Sequence, residues 1–154
     1  MKSATFYILI AFLLTACVEN TFYSQTVSIE NNSWAINNQP TFIVEITDTA
    51  KSYDFMLHVR NSDSYAYRNI FFFIETTFPN GKIAKDTVEC LLADESGKWL
   101  GKGKGSAIHH TILFKQNVIF PTKGKYQFKF IHGMYDNPLP HVLDVGLRID
   151  YHAK

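Results

Sequence analysis

Between residues 53 and 60 every second side chain is large and apolar, with Tyr53, Phe55, Leu57 and Val59 falling on one face. A period of two is the mark of a strand buried on one side. The pattern returns at 125–132, where Tyr126, Phe128 and Phe130 share a face. Strand-like runs also occupy 42–46, 69–78, 85–93, 106–120 and 142–151, the fourth of these with an interruption near Gln116-Asn117. Turn signals separate them: Asn61-Ser62-Asp63-Ser64, Pro79-Asn80-Gly81-Lys82, Pro121-Thr122-Lys123-Gly124 and Asp136-Asn137-Pro138-Leu139-Pro140. Asn80-Gly81 suits a turn with φ > 0, so 70–93 reads as a hairpin. The apolar run Ile70-Phe71-Phe72-Phe73-Ile74 reads as strand buried on both faces. With seven or eight strands and no helical periodicity, the expected fold is all-β: a single-domain β-sandwich, Ig-like or jelly-roll-like, with a barrel as the alternative. The 13 Phe and 8 Tyr agree with strands, and 154 residues agree with one domain.

The N-terminus follows a different logic. Lys2 precedes an apolar region of eleven residues, Ala4 to Leu14, too short for the roughly 20 that span a bilayer. This is the layout of a signal peptide. It ends in Leu14-Thr15-Ala16-Cys17, which looks like a bacterial lipobox. Small residues before the cut admit the peptidase, and the Cys17 thiol accepts diacylglycerol. Two or three acyl chains make a stable anchor, where one holds only marginally. The expected organisation is a signal peptide at 1–16, lipidated Cys17 and a polar tether at 17–40, and the sandwich at 41–154. Phe22 and Trp34 are too bulky for a pure linker, so part of the tether is expected to pack on the domain. Only Glu19 is acidic close behind Cys17, which favours a periplasm-facing anchor in the cell envelope.

Charge excludes several partners. Cleavage removes Lys2 and leaves 14 basic and 14 acidic residues. A neutral chain lacks the basic footprint for nucleic acid and has no polybasic run for anionic lipid. With Cys17 lipidated, Cys90 has no partner for an intramolecular disulfide and reads as a buried apolar thiol.

The most unusual stretch is Gly97-Lys98-Trp99-Leu100-Gly101-Lys102-Gly103-Lys104-Gly105. It matches neither a P-loop nor a dinucleotide fingerprint. It reads as a glycine-bent turn with solvated lysines and a packed Trp99. Lys98, Trp99, Leu100 and Lys102 are the residues it offers to a protein partner. Tyr65 and Tyr67 flank a turn and are expected to be exposed, as further partner contacts or as a glycan platform. His109 and His110 are adjacent on a strand and point to opposite faces, so they do not chelate one metal. No zinc-type spacing and no G-x-S-x-G occurs, and no pair of acids converges. Asp144 and Arg148 share a strand face and read as a structural pair. The chain is therefore expected to be no enzyme, with no metal and no cofactor.

Several segments follow one another in a familiar order: Tyr65-Ala66-Tyr67-Arg68-Asn69-Ile70, Phe78-Pro79-Asn80-Gly81-Lys82, Asp86-Thr87, Leu92-Ala93-Asp94, Gly97-Lys98-Trp99-Leu100-Gly101-Lys102-Gly103 and Asp144-Val145-Gly146-Leu147-Arg148-Ile149. With the lipobox, they make the chain resemble the gliding-motility lipoproteins of the GldH type from the Bacteroidota, over nearly its whole length. Where that family is expected to carry Gln-Ala-Met-Arg, this chain has His132-Gly133-Met134-Tyr135. The resemblance implies a membrane-anchored accessory of the gliding machinery, coupled to type 9 secretion. Its partners are proteins of that apparatus, and it brings no catalytic residues. The alternative is an envelope glycan- or peptide-binding module in a non-gliding bacterium.

Overall fold

The alternating segment at the centre of the sequence is a strand in full: β4, Ser52–Ser62, buries Tyr53, Phe55, Leu57, Val59 and Asn61 and half-exposes the residues between them. A computed structural model describes residues 20–103 and 105–153. The signal peptide, Cys17 and Lys104 lie outside the described residues. Around β4 the chain adds β1 (Thr21–Ser28), β2 (Ser33–Trp34), β3 (Thr41–Ile46), β5 (Asn69–Thr77), β6 (Ile83–Leu91), β7 (Ala107–Ile119), β8 (Gly124–His132), β9 (Leu139–Pro140) and β10 (Val142–Tyr151). The described residues hold one single-turn 3-10 helix, Glu30–Asn32, and no α-helix.

The long strands pair in nested fashion. β5 pairs β6, β4 pairs β7, β3 pairs β8 and β1 pairs β10, all antiparallel. Two further pairings, β10 with β4 and β5 with β8, roll this long hairpin into two four-stranded sheets, ordered β1-β10-β4-β7 and β3-β8-β5-β6. Nested pairs rolled into two sheets are the jelly roll, which decides between the two sandwiches expected. Short β2 and β9 pair with each other.

The sheets meet through aromatic rings. Phe55 of β4 lies 5.5 Å from Phe128 of β8, and Tyr53 lies 5.3 Å from Phe120. Trp34 is fully buried, 5.5 Å from Phe72 of β5. The expected hairpin at 70–93 is β5–β6, with Gly81 at φ 81° in its turn. The expected interruption in β7 is a bulge, with Asn117 at φ 55° where the register against β4 slips.

Three expectations change. The stretch read as tether, 17–40, is largely folded from Thr21 onward. β1 pairs along β10, and Phe22 packs 5.1 Å from Tyr53 and 5.4 Å from Tyr151. The first sheet thus already includes β1, ahead of residue 41. The Ile70–Ile74 run is not buried on both faces: Ile70, Phe72 and Ile74 point inward, while Phe73 is 45% exposed. Asp144 pairs with Arg60 on the neighbouring strand β4, and Arg148 forks onto Asp150 at 2.8 Å.

The register sorts the connections to two ends. Thr21, Tyr151, Ser52 and Ile119 line one end of the first sheet, and Ile46, Gly124, Thr77 and Ile83 the matching end of the second. Short turns join the strands there, at 47–51, 78–82 and 120–123. The long connections 29–40, 63–68, 92–106 and 133–141 gather at the opposite end.

Candidate functional site

The glycine-lysine segment lies at the long-loop end, in the connection from β6 to β7. Asp94 starts it. Its Oδ1 accepts hydrogen bonds from the Ser96 hydroxyl at 2.7 Å, the Ser96 amide at 2.9 Å and the Lys98 amide at 3.0 Å. The Ser96 hydroxyl, followed by the Lys98 amide, holds the Asp94 carboxyl below the usual carboxylate range. The Asp94 amide donates to the Lys98 carbonyl at 2.9 Å, and Gly97 turns the chain at φ 83°. The result is a tight hairpin.

The chain then runs back between two neighbours. The Leu100 amide donates to the Leu92 carbonyl at 2.8 Å, and Lys102 and His109 exchange both backbone hydrogen bonds at 2.8 Å. The approach to β7 is so close that it requires glycine. A Cβ on Gly101 would lie 2.5 Å from the His109 carbonyl oxygen, and one on Gly103 only 2.1 Å from that of Ala107. The glycines hold this loop against the sheet rather than loosening it.

Extended backbone makes the side chains alternate. Trp99 turns inward, half-buried, with its ring 6.3 Å from that of His110 and edge-on to it. Lys98, Leu100 and Lys102 turn outward, and Leu100 is 58% exposed between the two lysines. A large aliphatic side chain fixed in water between two cations is an unusual surface on a backbone this constrained. His110 is buried, and burial, with His109 as the second cause, pushes its imidazole down to about 4.

Tyr65 and Tyr67 sit beside this loop, in the β4–β5 connection, but they do not form an exposed platform. Tyr65 is 5% exposed, and its hydroxyl donates to the Asn69 carbonyl at 3.0 Å. Burial pushes its phenol up. Tyr67 is half-buried and donates to Asp136 at 2.7 Å. Both hydroxyls find partners with the rings folded inward: Tyr65 closes its own loop onto the start of β5, and Tyr67 ties that loop to the one carrying Asp136. The structure does bring the two predicted patches together: the Arg68 carbonyl accepts from the Leu92 amide at 2.7 Å and the Ala93 amide at 3.0 Å. Two exposed apolar residues at this end were not anticipated, Tyr135 at 96% and Ile36 at 44%. Tyr135 sits beside the turn signal Asp136-Asn137-Pro138, which was the available hint.

A second, polar hollow lies on the outer face of the first sheet, where the Arg60–Asp144 pair neighbours His58 and His109. His58 lies 3.2 Å from the Thr111 hydroxyl, and burial lowers its pKa. Asp144 is already engaged by Arg60, so its carboxylate serves an ion pair in this hollow. Among the described residues no three His, Cys, Asp or Glu side chains gather as metal ligands.

The sequence model of the GldH lipoprotein family matches residues 21–149, from the start of β1 to within β10. A curated relative from Christiangramia forsetii, a gliding motility lipoprotein GldH homolog, is 31% identical over 96% of this chain and 94% of its own length. The gliding motility lipoprotein GldH of Flavobacterium johnsoniae is 25% identical, over 97% of both chains. Among solved structures, an arabinose-bound α-L-arabinofuranosidase is similar at TM-score 0.36 and 10% identity, covering 83% of this chain and 19% of that one. The VP2 subviral particle of infectious bursal disease virus is similar at TM-score 0.30 and 11% identity, covering 86% and 34%.

Proposed function

The chain belongs to the GldH lipoprotein family, a family of gliding-motility lipoproteins, and from that premise we propose that it is a non-catalytic positioning component of the gliding and type 9 secretion-associated envelope machinery. In this reading Cys17 carries the lipid and the domain faces the periplasm. The long-loop end presents Lys98, Leu100 and Lys102 to a protein of the apparatus, with Trp99 anchoring the loop from beneath.

One observation carries the reading. The Lys98–Leu100–Lys102 face is exposed, yet its backbone is pinned on both sides by hydrogen bonds and by glycine contacts. A preformed surface loses little freedom on binding, which favours recognition of a macromolecular partner. Exposed Tyr65, Tyr67 and Trp99 along one groove would favour the glycan- or peptide-binding alternative, and the burial of Tyr65 counts against it.

The test is a crosslinked pull-down of tagged protein from native envelopes, with Lys102→Ala and Trp99→Ala alongside. Recovery of gliding or secretion components by the native protein, and their loss from both variants, is the expected result. Recovery of the same proteins by all three removes the loop from the interface.

A further inference from the structure

We propose that the short-turn end of the sandwich is a bilayer-docking surface, so that the domain stands on its own membrane with the long loops held away from it. The proposal rests on the reading that Cys17 is lipidated.

The tether sets the geometry. Asn20 lies at the short-turn end, where its side-chain amide donates to the Tyr151 carbonyl. Cys17 is three residues earlier, and three residues reach at most ~11 Å. The eight residues of β1 alone run ~27 Å toward the other end. A tether shorter than the strands keeps the short-turn end at the surface, whatever path residues 18 and 19 take.

The composition of that end suits a lipid interface. Ile119 closes β7 at 62% exposure and Ile83 opens β6 at 60%, two of the most exposed aliphatic residues described. Pro79 and Pro121 stand exposed on the adjoining turns, and so do Lys82 and Lys123. The three turns carry Lys51, Lys82 and Lys123 against a single acid, Asp48. Lys51 leans over the Tyr151 ring at 4.5 Å, which leaves Lys82 and Lys123 as the outward cations. Aliphatic tips beside lysines are the pattern of an interfacial surface that meets anionic headgroups. The apolar character continues inward, into a cavity of about 190 Å³ between the sheets, lined in part by Phe78, Ile119, Phe120 and Pro121. The lipidated tether favours a bilayer over any other occupant, because it holds a bilayer against this end permanently. The whole-chain balance gave no sign of this, because the exposed cations are set by the fold on separate turns.

Both native tryptophans make the test clean, since Trp34 and Trp99 lie toward the long-loop end. The full lipoprotein is reconstituted into vesicles of phosphatidylethanolamine and phosphatidylglycerol with brominated acyl chains, which quench nearby indoles. Native protein, Ile119→Trp, Ile83→Trp and Leu100→Trp are compared, and the mass of the N-terminal peptide reports lipidation separately. Lipidated protein is expected to lose the added emission in Ile119→Trp and Ile83→Trp while native and Leu100→Trp emission persists. Lipidated protein with equal quenching at both ends, or none at position 119, overturns the docking surface and leaves the anchor intact. A peptide without lipid on Cys17 overturns the anchored reading itself, and the docking surface with it.

Discussion

Adding one methyl group at Gly101 is the sharpest perturbation of the candidate site. The new Cβ would lie 2.5 Å from the His109 carbonyl oxygen and 2.7 Å from both His110 Cε1 and Ile108 Cγ2. That is about 1 Å inside optimal separation. Two of the three neighbours belong to buried residues and one is backbone, so none yields easily. Overpacking of this kind costs about 1–3 kcal/mol. If the loop moves off to relieve it, the reciprocal Lys102–His109 hydrogen bonds go too, at about 1 kcal/mol each. The expected cost of Gly101→Ala is therefore about 1–3 kcal/mol, as retained strain or as local release of the loop at the cost of the two hydrogen bonds. Gly97→Ala is the control. Its Cβ meets nothing within 4 Å, and only the positive φ of 83° opposes it, a cost of about 1–2 kcal/mol. Urea unfolding with amide exchange separates the two routes. Gly101→Ala is expected to lower the midpoint or to expose the Lys102 and His109 amides, and to lose partner capture in either case. Wild-type midpoint and protection together would show that the glycine spacing is not what holds the loop.

Three further outcomes follow from buried groups. Trp34→Ala removes a fully buried ring and its 2.7 Å hydrogen bond to the Asn38 carbonyl; it is expected to cost about 3–5 kcal/mol by urea titration, and a cost under half that would mean the ring does not organise the core. His110 is held down to about 4 by burial, so the unfolded chain binds its proton more readily. Its contribution to stability is full above about 6.5 and falls as pH drops toward about 4. Urea midpoints across that window should fall with acid, and the His110→Leu midpoints should fall less steeply. Cys90 is buried, with its thiol pushed up to about 12 first by burial and then by Glu89; it should resist aromatic disulfide reagents in native protein and react fully in urea, and prompt native labelling would contradict its packing.

What the sequence revealed was whatever depends on near neighbours. The alternation at 53–60, the Asn80-Gly81 hairpin and the bulge near Asn117 are all written within a few residues, and each stands in the structure. β1 was read as tether because an edge strand needs few apolar residues. TFYSQTVS buries none of its residues fully, and its partner β10 lies over a hundred residues away. Phe73 looked like core because a run of Phe carries no sign of which face is covered. Tyr65 borders a turn and so reads as surface, but its ring packs into the core beside Tyr67 and its hydroxyl is satisfied by the Asn69 carbonyl. The glycine-lysine segment announced itself by composition. The reason for Gly101 and Gly103 was hidden, because the backbone they approach belongs to β7, beyond the loop itself.

The proposed function sets the long-loop end, through Leu100, against a protein of the envelope machinery. A photocrosslinking residue placed at Leu100, and in a second strain at Ile43, tests it in living cells. The two positions are matched at 58% and 59% exposure, and Ile43 lies on β3, away from the loops. A discrete crosslinked band containing a gliding or secretion component is expected at position 100 and not at position 43. A band at 43 alone, or the same bands at both, would contradict that placement.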